Sequence, residues 1–544
     1  MSRTGTPPAA MRPAMRIRRA LLGARGTRLD LAVIVAITAL AAGLRLWHLG
    51  TIPLGLHGDE AWTGLDARRV LREGWIGPYV PSALGQPTGP LYLTALLFKI
   101  FPQTTTTLRF SMALFGVATI PLAYLAFSTM FNRTVGAFAS LLLAIMMWHL
   151  HLSRTAFMVT AWPCMEVATL WLLWLAIRRR SVAWFAAAGL LHGLGIYTYN
   201  ADLLFLPVPF VAVAWAFFAT RNRLDRRRLL IGAAVLAAVT LAVAMPMLFY
   251  AARHTETFRY HERIVAVTNA PAWESASLLG KADLIRHRGA EWIRGIAVGG
   301  RPDLGDGLAT AGHPLVDGAT LFLAVIGLGM ALRRWRQPET GAIVAALLLL
   351  PWGALLTIED GLFRRTLGLT PFIALLAALP LAWLWDGLCA MRDGRKPLFL
   401  GAILAVLAFN GVWTSYQYFG PVQNTDTMRF VYPYQMDAAS HFIAALPAAT
   451  YVYFYSERWS FNYETRRFIA PNARGEDRSQ EFGTLPTGAA PDVSIDVSGT
   501  VAFVFLGPYV DLASAVVARY PGGTETDVRR GSEVEFRAYV VHAP

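Results

Sequence analysis

The stretch 229–250, LLIGAAVLAAVTLAVAMPMLFY, holds no charged side chain. A helix of about 20 apolar residues crosses the hydrocarbon core of a bilayer. This stretch is long enough, and it contains nothing that water must satisfy. Ten similar runs lie around it, near 29–49, 107–130, 134–152, 160–178, 181–199, 203–220, 317–333, 340–357, 366–386 and 397–418. The expected fold class is therefore a mainly α, polytopic membrane protein with about eleven spans.

Composition agrees. Of 544 residues, 55% are apolar and 15% charged, and mean hydropathy is +0.42. A soluble chain carries about 25% charge. The net charge of +14 sits mostly between apolar runs and in the N-terminal arm, which points to topology. No soluble stretch carries a basic stripe interleaved with aromatics, so nucleic acid is not expected as a partner. Cys164 and Cys389 have no CxxC or His-rich context, which argues against a zinc site or a disulfide framework. Lys99, Lys281 and Lys396 are the only lysines among many arginines, a balance that fits a GC-rich bacterial genome.

Basic residues near span ends set orientation. With the arm 1–28 in the cytoplasm, alternation puts Arg133, Arg178–Arg180, Arg221–Arg228, Arg333–Arg336 and Arg392–Lys396 in cytoplasmic loops. All five such loops are basic. Arg45, Leu46 and Trp47 read as the interfacial end of a true span rather than of a cleaved signal. The polar mass then falls on the outer face, in loops near 50–106 and 251–316 and in a tail, 421–544. The tail reads as a small α/β domain. TYVYFYS (450–456), TVAFVFLG (500–507) and EVEFRAYVVH (533–542) are strand-like, DAASHFIAAL (437–446) and VDLASAVVARY (510–520) have helical spacing, and 471–498 is loop-like. The expected organisation is the arm 1–28, a membrane domain 29–420 and the extracytoplasmic domain 421–544.

Just after the first run comes HGDEAW, with His57, Asp59, Glu60 and Trp62. Adjacent carboxylates near a membrane surface are costly to desolvate. They fit proton removal from an acceptor, and equally the first turn of a helix at 60–73, where acids suit the dipole. That helix mixes Trp62, Leu65, Val70 and Leu71 with Arg68, Arg69 and Arg72, as an interfacial helix would. GPLYLTALLFKIF (89–101) is too short to span. Arg364 and Arg365, behind Glu359–Asp360, suit bidentate contact with a phosphate, or snorkelling and pairing with those acids. Arg154 is open to contact with phosphate or sugar, and equally to an anchoring role. Tyr197 and Tyr199 belong to an aromatic belt or, for Tyr199, to a sugar site that Asn200 and Asp202 could also line. His149 and His151 lack helical ligand spacing. Arg253, His254, Arg259, His261, Arg263 and Lys281 make the second loop a basic cover, or a headgroup-facing surface.

Taken in order, several stretches resemble the GT-C superfamily of membrane glycosyltransferases. Within it, the likeness is to the group of protein O-mannosyltransferases and the lipid A aminoarabinose transferase. The stretches are Asp59–Glu60 after the first span, GQPTGPLY (85–92), LRFSMALFGVATIPLAYL (108–125), LSRTAF (152–157), GLGIYTYNAD (193–202) and FRRTLGLTPFIALLAALPLAWL (363–384). The resemblance implies a polyprenyl-phosphate sugar donor and an inverting transfer on the outer face of a bacterial inner membrane. The acceptor would be a lipid, glycan or protein. It implies Asp59 as the catalytic base with Glu60 as support or alternate, and Arg364, Arg365 and Arg154 as donor-phosphate contacts. His57 and Tyr199 follow as substrate contacts. It implies no catalytic metal, although a divalent cation at Asp59–Glu60 stays open. The chain departs from the pattern at Leu203, near where bacterial relatives carry Arg. A transporter or flippase of lipid-linked glycans, and a non-catalytic envelope-assembly subunit, are the alternatives. No internal repeat favours the first.

Overall fold

The computed structural model of the chain describes residues 28–300, 307, 313–358, 363–392, 394–479 and 492–542. The arm before residue 28, the acidic pair Glu359–Asp360 and the centre of the 471–498 loop lie outside the described residues.

Each apolar run becomes helical, and further helices form in the polar loops between them. In chain order these are α1 (Arg28–Leu46), α2 (Gly58–Glu73), α3 (Gly89–Ile100), α4 (Thr105–Met130), α5 (Arg133–Ile145), α6 (Ala161–Arg179), α7 (Val182–Gly195), α8 (Pro207–Ala219), α9 (Arg223–Arg253), α10 (Thr255–Val265), α11 (Gly318–Arg333), α12 (Pro338–Leu349), α13 (Leu369–Ala390) and α14 (Lys396–Phe419). Among the described residues, eight helices are long and apolar enough to cross a membrane, so the chain is a multi-pass membrane protein. Two of the eight are long enough only by running on past the helix proper, α8 from the helical turns at Asn200 and α12 on to Leu355. Three of the eleven expected spans stay shorter: α5, α7 and α11 run 13, 14 and 16 residues. The α5 run breaks at Met146, whose backbone turns extended before a second short helix, Met147–Leu152.

The bundle is built around α4, α5, α6 and α13, which pack on one another. The apolar window of α6 is 89% buried, against 11% for α14 at the edge. Apolar side chains that face outward in this way suit lipid tails. Between such helices there is no hydrophobic drive, so close packing through small residues matters. Gly189 and Gly193 of α7, one turn apart, meet the backbone of α9 at Leu236 and Thr240. Opposite them, a Cβ on Gly232 would lie 2.2 Å from the Phe185 ring.

The tail is an α/β domain, as expected. Helix α15 (Tyr434–Ala445) precedes β1 (Tyr451–Tyr455), α16 (Glu464–Ile469), β2 (Arg474–Asp477), β3 (Thr500–Leu506), β4 (Thr524–Arg530) and β5 (Glu533–His542). The sheet order is β2-β1-β3-β5-β4. β1 is parallel to both neighbours, and β5 is antiparallel to β3 and β4. The run YVYFY is apolar at every position because both faces are covered. Val452 and Phe454 pack with Met436 and Ile443 of α15, and Tyr453 and Tyr455 with Phe503, Tyr509 and Val516.

The helix read as interfacial is not a surface helix. α2 lies between α3 and α16 of the tail. The tail therefore sits directly on the first loop.

Candidate active site

The N-terminus of α2 organises the site. His57 is its N-cap: its Nδ1 accepts from the Asp59 N–H at 2.9 Å, while Glu60 Oε2 accepts from the His57 N–H at 3.0 Å. This is a capping box with histidine in place of the usual serine or threonine. The cap turns Asp59 outward and Glu60 inward.

Glu60 is fully buried. Its Oε1 accepts from Arg109 Nε at 2.9 Å and from the Ala156 N–H at 2.8 Å, and Arg109 Nη2 reaches Oε2 at 3.1 Å. Arg109 also donates to the carbonyls of Leu49, Pro53 and Gly55. One guanidinium thus ties α4 to the carboxylate and to the chain leaving α1. Both Glu60 oxygens are thereby taken up by protein partners.

Asp59 lines a cleft of about 610 Å³ with Trp62, Asp66, Arg69, Ser82 and Tyr260. Arg364 Nη1 donates to its Oδ2 at 3.0 Å, across 305 residues of sequence. The Arg364 guanidinium lies 5.1 Å above the Phe157 ring. Burial opposes ionisation of Asp59, but His57, Arg364 and His261 outweigh it, so its carboxyl sits below the ordinary value. His261, on α10, is pushed down to about 4 by burial and by Arg365 and Arg364. Arg365 is buried beside it.

The tail grips the chain that leads into the site. Asp437 Oδ1 accepts from the Leu56 N–H at 3.1 Å, and Thr465 Oγ1 donates to the Leu56 carbonyl at 2.9 Å. A Cβ on Gly58 would lie 2.7 Å from the Tyr463 hydroxyl. Burial, with Glu464 and Asp59 adding, pushes Tyr463 up to about 12. Tyr463, Glu464 and Asp437 were not candidates in the sequence, where they are ordinary tail residues. Arg109 offered a signal that was missed, a lone charge just inside an apolar run.

Two other expected site residues lie apart from the Asp59 cleft. Arg154, expected at the donor phosphate, is fully buried. Its Nη1 and Nη2 donate to the carbonyls of Leu44, Arg45, Trp47 and Ile52 at 2.7 to 3.1 Å. It closes the end of α1 and the turn that follows it. Tyr199 is stacked on Trp162 with ring centroids 6.1 Å apart and does not line the Asp59 cleft. Among the described residues, no three His, Cys, Asp or Glu side chains are grouped to hold a metal ion.

A second cavity, of about 470 Å³, is almost wholly apolar and lies between α8 and α9. Ile196, Leu203, Phe210, Leu241, Met247 and Phe258 line it. Leu203, where an Arg was expected, is part of this wall. Helix α10 joins the two cavities. Phe258 faces the apolar one, and Tyr260 the Asp59 cleft.

The sequence model of the dolichyl-phosphate-mannose-protein mannosyltransferase family matches residues 85–250, from the GQPTGPLY turn through α9. ArnT from Cupriavidus metallidurans in its apo state superposes with a TM-score of 0.53 at 16% identity, over 94% of this chain and 97% of that one. The chain has the GT-C fold. The same ArnT bound to undecaprenyl phosphate gives 0.53 at 15% identity over the same shares. The GT-C fold recurs in the oligosaccharyltransferase AglB from Archaeoglobus fulgidus, solved with an inhibitory peptide and a dolichol-phosphate. There the TM-score is 0.53 at 16% identity over 82% of this chain, which spans 64% of the archaeal one. No curated protein sequence matches the chain.

Proposed function

We propose that this chain is a glycosyltransferase. It moves a sugar from a polyprenyl-phosphate donor to an acceptor, with inversion at the anomeric carbon. Its site faces away from the cytoplasm in a bacterial inner membrane, as the arginine distribution favours. The observation that carries the reading is the Asp59–Arg364 pair at 3.0 Å. A carboxylate able to take a proton and a cation able to meet a leaving phosphate stand together at one cleft, on two separate segments of chain.

The apolar cavity between α8 and α9 seats the polyprenyl chain, and α10 leads from it to the cleft. The donor phosphate draws Arg364 away from Asp59 and meets Arg365 beside it. Arginine suits this because its planar fork matches phosphate oxygens. The acceptor O–H or N–H then donates to Asp59. As the acceptor atom bonds to the anomeric carbon, the bond from that carbon to the phosphate oxygen breaks. Its electron pair stays on the phosphate, where the guanidiniums offset the new charge, and the proton goes to the Asp59 carboxylate. Attack from the face opposite the phosphate inverts the centre. A fixed charge aimed at the developing oxyanion supplies about 3 kcal/mol in comparable sites.

Support comes from the mannosyltransferase family match and from the undecaprenyl phosphate in the ArnT of like fold. The test is mass spectrometry of a panel of polyprenyl-phosphate sugars, incubated with purified wild type or Asp59→Asn and a bacterial envelope extract. One donor should fall with wild type alone. In detergent there is no second compartment, so consumption also excludes transport as the sole activity. A panel left intact by the wild type refutes the reading.

A further inference from the structure

A third cavity, of about 550 Å³, lies between α2 and the tail domain. The transfer step leaves it unused. Its walls carry six arginines: Arg68, Arg69 and Arg72 from α2, and Arg466, Arg467 and Arg474 from the tail. Asp66 is the one acid among the lining residues. It is turned to the Ser82 hydroxyl, and burial pushes its carboxyl above the ordinary value.

Three of the six arginines are engaged. Arg466 donates to the Phe461 and Ala470 carbonyls and to Asn462 Oδ1. Arg68 is held by Gln103 and the Phe468 carbonyl, and Arg69 by Glu73. The side chains of Arg72, Arg467 and Arg474 make no hydrogen bond or ion pair among the described residues, and all three are exposed. Arg467 lies over the Trp62 ring at 5.3 Å. Glu464, the acid beside it, is pushed up by burial. Cations gathered on facing walls repel one another unless an anion lies between them. Guanidiniums are the groups best shaped to hold an oxyanion.

Trp62, Asp66 and Arg69 line both this cavity and the Asp59 cleft. A ligand seated among the arginines therefore reaches the carboxylate along Trp62. Trp62, only partly buried, offers an aromatic face of the kind that covers sugar rings. Leu65 is the sole long aliphatic side chain on the wall, so the cavity has no seat for acyl chains. We propose that it binds the non-reacting part of the acceptor, an anionic saccharide bearing carboxylate or phosphate groups. This rests on reading the Asp59 cleft as the transfer site.

The probe is a fluorescent tetragalacturonate, with a neutral galacto-oligosaccharide as control. Both are titrated into the full chain in a neutral detergent at several salt concentrations. Wild type should bind the anionic probe alone, more weakly as salt rises. The triple variant Arg72→Gln, Arg467→Gln, Arg474→Gln should bind it at least about tenfold more weakly, equal to about 1.4 kcal/mol. All three positions are exposed, and the variant's thermal midpoint reports any folding defect separately. Equal binding by the triple variant, or none by wild type, overturns the proposal. So does full displacement of the probe by nanodiscs of phosphatidylglycerol but not of phosphatidylcholine, which would assign the cavity to a lipid headgroup. Donor consumption keeps the two readings apart. If the wild type leaves every donor intact while the triple variant loses the probe, the transfer reading fails and the anion site stands; if Asp59→Asn still consumes donor, only the role of Asp59 falls.

Discussion

Replacing Glu60 by glutamine keeps the shape of the side chain and removes one charge from a buried pair. Glu60 accepts four hydrogen bonds, two from Arg109 and one each from the His57 and Ala156 backbones. Neither Glu60 nor Arg109 exposes any side-chain surface. In the Glu60→Gln variant, Arg109 stays charged with no anion beside it, and an amide N–H of the new side chain points at a guanidinium N–H. Breaking a buried pair from one side costs about 3–5 kcal/mol. Apart from Ala156, the pair's other bonds go to Leu49, Pro53, Gly55 and His57, so the cost falls on the segment from Leu49 to the first turn of α2. Local opening there should become easier by about two to three and a half orders of magnitude. Hydrogen–deuterium exchange of the full chain in detergent reads this directly. Amides of 49–61 should exchange faster by that factor, while those of α6 keep their protection. Donor consumption should fall with it, because Asp59 is the next residue. The double variant Glu60→Leu, Arg109→Met removes both charges and should cost less than the two singles added together. Unchanged exchange across 49–61 in Glu60→Gln would show that the pair does not hold the loop.

Asp59→Asn should lower turnover by at least about a hundredfold, the usual share of a general base, with the thermal midpoint near wild type; turnover within a few-fold of wild type removes Asp59 from the mechanism. Arg364→Ala should move the acid limb of the pH–rate profile upward. Arg364 helps hold the Asp59 carboxyl below its ordinary value, so without it the base is protonated at a higher pH; an acid limb that stays in place shows that the two groups do not interact during turnover. By the same sign, the stability that Asp59 gains from these neighbours is present above its unfolded value, about 3.9, and is lost as pH falls through the lowered one. Gly232→Val puts carbon where the Phe185 ring lies, 2.2 Å from an added Cβ. Overpacking of this kind costs about 1–3 kcal/mol, and an unshifted thermal midpoint would mean that α7 and α9 pack less closely than described.

The membrane class was legible because the bilayer imposes a length, and a run such as 229–250 satisfies it without reference to any other part of the chain. The same independence explains the uncertain span count. α5 stops at Met146 because its backbone turns there, and no residue in LLLAIMMWHL announces the turn. The tail strands β1, β3 and β5 were legible from their apolar content. β2 and β4, RGED and TETDVRR, lie at the two sheet edges and show no apolar pattern. In the site, the residue types were readable but their partners were not. Asp59 and Arg364 each suggested a role, while their contact spans 305 residues. Whether Arg154 is buried depends on where the end of α1 lies. Arg109 carried a signal as a lone charge in an apolar run, but nothing in the sequence ties it to Glu60, 49 residues away.

The hold that the tail has on Leu56 bears on how the protein is made. The loop bearing Asp59 is synthesised early, yet the oxygens that grip Leu56 belong to residues 381 and 409 positions later. A ribosome adds about 5–20 residues per second, so the loop leaves the ribosome at least about twenty seconds before its clamp exists. Until α15 and α16 fold against it, the first loop lacks part of its support, however complete the helices around it. The competence of the site is therefore timed by the last-made domain, and a chain truncated before α15 would be inserted, folded in its bundle and idle.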